Sequence, residues 1–203
     1  MKKYKIQTRY LITILFIFSS YPLWAQRDNY LSALSGTLSS VEVFDVKQNK
    51  KVKIHTGDKP LSLFVFLSPE CPLCQNYTKT LNELEQKYKP QVNLAGIIPG
   101  EAYTLKDITD FENKYHINFR LFVDAKQELT RFLRATVTPE AILLDSSGNL
   151  VYIGAIDDWL FALGKKKLHV SKQYLQEAIE QSLKGEPVKT KRTNAFGCKI
   201  NDF

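Results

Sequence analysis

The sequence predicts an α/β fold in which a central mixed β-sheet is flanked by helices and preceded by a β-hairpin. Three observations carry this. Residues 61–67 are apolar except for Ser62 and rich in aromatic and β-branched types, the pattern of a strand buried on both faces. Directly after it, apolar residues recur at Leu73, Tyr77, Leu81, Leu84 and Tyr88, the spacing of one helical face. From there strand and helix patterns alternate and close with two strands and a helix, giving the order β-α-β-α-β-α-β-β-α.

The elements follow in order. Lys2, Lys3, Lys5 and Arg9 precede an apolar run over residues 11–18, and the small residue Ala25 precedes polar Gln26. Residues 1–25 therefore read as a secretory signal cleaved near Ala25, the run being shorter than the about 20 residues that span a bilayer. Of the formal charge of +7, four positive charges and no negative one lie in this segment, so the remainder carries +3. The basic balance is thus largely a targeting feature, and no nucleic-acid partner is expected. The expected location is the periplasm or the extracellular space, with membrane contact only through the signal, and there disulfides persist. Residues 26–40 are small and polar and read as a lead-in segment.

With 203 residues and 44% hydrophobic content, the chain can build one sizeable core, assigned to a domain over residues 41–184. Alternating patterns on either side of Gln48-Asn49 form the hairpin. Residues 92–98 are a second buried strand that stops at Pro99-Gly100. Thr104 followed by Asp107 has capping-box spacing and opens a helix with Leu105, Ile108, Phe111 and Tyr115 on one face. A strand over 119–124 and a short helix over 127–133 come next. Residues 140–145 and 150–155 form a hairpin across a Ser-Ser-Gly-Asn turn. The last helix, 171–184, shows Leu175, Ala178, Ile179 and Leu183 and ends at Gly185 and Pro187. Residues 185–203 are polar, basic and punctuated, and read as a flexible tail carrying Cys198.

Chemistry concentrates where the first buried strand hands over to a helix, at Cys71-Pro72-Leu73-Cys74. Orphan backbone N–H groups and the positive end of the helix dipole favour an anion there, so a thiol in the first turn ionises more readily. Cys71, at the outer edge, is the expected nucleophile. Pro72 suits the helix start because its φ is already helical and its missing N–H costs nothing there. Cys74, one turn on, can attack a mixed disulfide formed at Cys71. A structural disulfide or half of a zinc site is the alternative, but no second C-x-x-C or cysteine–histidine pair is present. The odd cysteine, Cys198, is either a resolving or regulatory thiol or an incidental free one. His55, His116 and His169 lack metal-site spacing, and neither a metal nor a cofactor is expected.

A buried strand, a dithiol at a helix start, Thr138-Pro139 before a later strand, and a closing hairpin and helix together resemble the thioredoxin fold. Residues 137–158, VTPEAILLDSSGNLVYIGAIDD, are similar to its exported redoxin branch. That branch includes the alkyl hydroperoxide reductase/thiol-specific antioxidant (AhpC/TSA) proteins and the TlpA-like thiol-disulfide oxidoreductases. The resemblance covers about residues 41–184. It implies a cis Pro139 beside the dithiol and a Thr138 backbone that docks a substrate's extended chain. Similar exported proteins carry Gly-Cys near the C-terminus, which implies a resolving role for Cys198. The chain departs from thioredoxins at Glu70, where they have Trp, and at Val65, where they have a buried Asp. Glu140 is then the candidate proton relay, while Glu70 sets a negative charge against the helix dipole. Both departures point to a narrower task than general disulfide reduction. The half-present peroxiredoxin pattern has Ser68 three residues before Cys71 but Phe64 in place of the proline. The implied function is an exported thiol-disulfide oxidoreductase exchanging a Cys71–Cys74 disulfide with protein thiols or disulfides and with an upstream redox partner. Thiol peroxidase, an antioxidant role, is the alternative; a non-enzymatic Cu(I) carrier is a further one, although carriers on this fold use C-x-x-x-C.

Overall fold

The computed structural model describes residues 38–56, 58–162 and 164–200. The expected signal over 1–25 and residues 26–37 of the lead-in lie outside the described residues. Among those described, no helix is long and apolar enough to cross a membrane. In chain order the elements are β1 (Glu42–Asp45), β2 (Lys50–Lys53), β3 (Leu61–Phe66), α1 (Pro72–Tyr88), β4 (Val92–Pro99), α2 (Leu105–Lys114), β5 (Arg120–Asp124) and α3 (Glu128–Leu133). They continue with β6 (Val137–Thr138), β7 (Glu140–Asp145), β8 (Leu150–Gly154), β9 (Leu160–Ala162), β10 (Lys165–Lys166), α4 (Tyr174–Leu183) and β11 (Cys198–Lys199).

Seven strands form one mixed sheet in the order β2-β1-β5-β4-β3-β7-β8. The β3–β4 and β4–β5 pairs are parallel, as their crossover helices require, and the four remaining pairs are antiparallel. Every residue of β3 is buried, and alternation along the strand divides them between two cores. Leu61, Leu63 and Val65 join Tyr77, Leu81 and Leu84 of α1, Ile108 and Phe111 of α2, and Leu175 and Ile179 of α4. Phe64 and Phe66 point the other way, toward Leu129 and Leu133 of α3 and Val41 and Val43 of the N-terminal hairpin. Helices therefore cover both faces of a sheet whose central strand has no wet side.

Local signals place the helix starts. Cys71 is extended (φ −74°, ψ 115°), which a residue before proline favours, and Pro72 takes the first helical position, as expected. At α2 the Thr104 side chain accepts from Asp107 N–H while the Asp107 carboxylate accepts from Thr104 N–H, the reciprocal cap its spacing predicts. On that helix Ile108 and Phe111 face the core, but Leu105 is 44% exposed.

The tail departs from the flexible segment its composition suggests. Lys191 O accepts from Ile153 N–H at 3.0 Å and Thr193 N–H donates to Ile153 O at 3.1 Å, which adds the tail alongside the open edge of β8. The Thr193 hydroxyl accepts from Ala155 N–H at 2.9 Å and lies 2.6 Å from Tyr152 Oη. The backbones come so close that a Cβ on Gly154 would stand 2.3 Å from Thr193 O. Farther on, β11 pairs antiparallel with β6, Cys198 opposite Thr138 and Lys199 opposite Val137. These partners lie in the domain rather than in the tail, so composition alone gives no sign of them.

A candidate active site at the start of the first helix

Three cysteines meet at the N-terminus of α1, and they are not paired as expected. The disulfide joins Cys71 to Cys198, across 127 residues and with the Cα atoms 6.3 Å apart. Cys74 is a free, buried thiol. Cys71, expected at an outer edge, is only 2% exposed, because the tail lies over it. Cys198, by contrast, is exposed.

The Thr138-Pro139 bond is cis. Thr138 touches all three sulfur-bearing residues. Its carbonyl oxygen is 3.4 Å from Cys71 Sγ, its hydroxyl lies 3.5 Å from Cys198 O, and the same hydroxyl bonds the Cys74 thiol. Cys74 Sγ also accepts Ser68 N–H at 3.3 Å. Burial pushes the Cys74 thiol up to about 11, against the opposing hydrogen bonds from Ser68 and Thr138. It is therefore a protonated reserve thiol, whereas Cys71 stands at the helix N-cap, where developing negative charge is favoured.

The two carboxylates singled out from the sequence sit differently. Glu70 is exposed. Glu140 is buried, and its carboxylate accepts from Thr136 N–H at 2.7 Å and from the Thr136 hydroxyl at 3.2 Å. Thr136 O in turn accepts Ile200 N–H at 3.1 Å. Glu140 thereby supports the edge on which the tail lies. The Ser68 hydroxyl is engaged with Tyr103 Oη at 2.7 Å. Sequence reasoning missed Thr136, Gly197, Ile200 and Tyr103. Only Gly197, directly before Cys198, left a signal that pointed to a close backbone approach.

No curated protein matches the chain significantly. Solved structures do. A hypothetical protein from Sinorhizobium meliloti 1021 superposes with a TM-score of 0.69 at 26% identity, over 78% of this chain and 88% of that one. An uncharacterized conserved protein from Geobacillus kaustophilus gives 0.71 at 21% identity, over 80% and 88%. An uncharacterized thioredoxin-like protein from Porphyromonas gingivalis gives 0.52 at 16%, over 75% and 92%. The architecture, a mixed sheet with helices on both faces and a C-x-x-C pair at a helix start, is thioredoxin-like, as the sequence resemblance implied. The AhpC/TSA family model matches residues 39–153, more than half of the chain and both the Cys71–Cys74 and Thr138-Pro139 motifs, so this chain belongs to the AhpC/TSA family.

Proposed function

We propose that this chain is an exported thiol-disulfide oxidoreductase that exchanges disulfides with partner proteins through Cys71. The observation that supports it is the Cys71–Cys198 disulfide at a helix N-cap beside a cis proline, with a third thiol, Cys74, one turn behind. In the reduced chain the Cys71 thiolate attacks a partner disulfide, the partner's leaving sulfur departs as a thiolate, and a mixed disulfide forms. Cys74 then attacks Cys71 Sγ and releases the second partner sulfur. Thr138 and Pro139 form the docking edge. Glu140, buried and bonded to Thr136, supports that edge, whereas Glu70 is exposed.

Cys198 adds a second resolving route, and this changes the trapping experiment. Cys71→Ser should abolish reduction of a disulfide-bearing protein. Cys74→Ser alone should still turn over through Cys198, and the double variant Cys74→Ser/Cys198→Ser should accumulate the mixed disulfide. Full activity in Cys71→Ser rejects the mechanism. Consumption of thiol only when peroxide is added would replace it with the peroxidase reading.

A further inference from the structure

The tail fits the docking edge as a bound segment would. It runs antiparallel to β6 with Cys198 opposite Thr138, and Ile200 N–H continues the pairing to Thr136 O at 3.1 Å. Three positions along it meet different surroundings. At Gly197 the backbone lies so near the edge that a Cβ would stand 2.1 Å from Thr138 O and 2.6 Å from its carbonyl carbon. Those are main-chain atoms that cannot swing away, so any larger residue there displaces the strand. Lys199 is exposed. Ile200 is partly buried and packs against the core that holds Phe64, Phe66 and Leu133.

We propose that the tail is a built-in image of the protein's redox partner. The edge at Val137–Thr138 selects an extended segment of the form glycine, cysteine, any residue, aliphatic residue, and takes its cysteine in the register of Cys198. This rests on the thiol-exchange reading above. While the tail is bonded, the partner's place is filled. The Cys74 thiolate opens it by attacking Cys71 Sγ. The Cys71–Cys74 bond forms, the Cys71–Cys198 bond breaks, and its electron pair leaves on Cys198 sulfur, which takes up the proton Cys74 gave. The rearrangement involves no net oxidation or reduction, so the oxidised chain interconverts between a closed form and an open one. In the reduced chain, attack of Cys71 on a disulfide-linked partner segment gives the same arrangement in trans, with the partner's cysteine in place of Cys198.

The test uses the reduced full-length chain and symmetric disulfide dimers of three peptides: residues 194–200 as they stand, the same peptide with Gly197→Ala, and the same with Ile200→Ser. Hydroxyethyl disulfide, which offers no segment to dock, reports exchange at Cys71 by itself. The first peptide dimer should be reduced at least about tenfold faster than the Gly197→Ala dimer. It should also be reduced about fivefold faster than the Ile200→Ser dimer. Equal rates for all three peptides, with hydroxyethyl disulfide reduced, overturn this inference and leave the oxidoreductase reading intact. No reduction of hydroxyethyl disulfide overturns both. Within the chain, Gly197→Ala should move the oxidised protein from Cys71–Cys198 to Cys71–Cys74, read by mass spectrometry of proteolytic peptides. Unchanged Cys71–Cys198 in that variant would also overturn it.

Discussion

The buried thiol Cys74 governs how fast the closed form opens, and its protonation sets a rate that can be calculated. Burial holds it at about 11, against 9.0 for an ordinary cysteine. At pH 7 about one Cys74 in ten thousand is then a thiolate, where an ordinary thiol would have about one in a hundred. A thiolate two units more basic is intrinsically about tenfold more nucleophilic, so the net slowing at neutral pH is about tenfold. The opening rate should rise about tenfold for each pH unit from 7 to 10 and level off near 11. Excess iodoacetamide traps exposed Cys198 as soon as it leaves Cys71, so the rate of Cys198 modification, followed by mass spectrometry, reads the opening step. A profile that levels off near pH 9 would refute the burial argument. Alkylation of Cys74 in the native closed form would refute it as well.

The same thiol makes folding stability depend on pH. Between about pH 9 and pH 11 the unfolded chain has lost the Cys74 proton and the folded chain keeps it, so the unfolded state binds fewer protons. Stability should be unaffected by this group below pH 9 and fall as pH rises, by up to about 2.7 kcal/mol across the window, in denaturant titrations. Oxidised Cys74→Ser, locked across 127 residues, should be more stable than oxidised Cys198→Ser, locked across three, by about 3 kcal/mol from loop-closure entropy. Equal midpoints at equal slopes would refute that estimate. Thr138→Val removes the hydroxyl that bonds Cys74 and should move the opening profile to higher pH. Leu81, fully buried at the centre of α1, should cost about 2–5 kcal/mol as Leu81→Ala. Thr104→Ala should cost only about 1 kcal/mol at the α2 cap, both read by chemical unfolding.

What the sequence alone determined is what short-range physics encodes. The uninterrupted apolar run of β3 marks a strand with no wet side, and it proved to feed both cores. Pro72 after Cys71 and Asp107 after Thr104 marked helix starts, because caps are satisfied within four residues. The cysteine spacing and Thr138-Pro139 marked residues that the fold brings together at the start of α1. Tertiary structure decided which sulfurs bond, which of them are buried, and what lies along β6. Cys198 is 127 residues from Cys71, and the tail that carries it is held chiefly by backbone hydrogen bonds, which any non-proline residue can make and which therefore leave little trace in composition. Gly197 is required only because Thr138 O stands where its Cβ would be. Until the fold brings those two backbones together, a glycine before a cysteine has no partner to name.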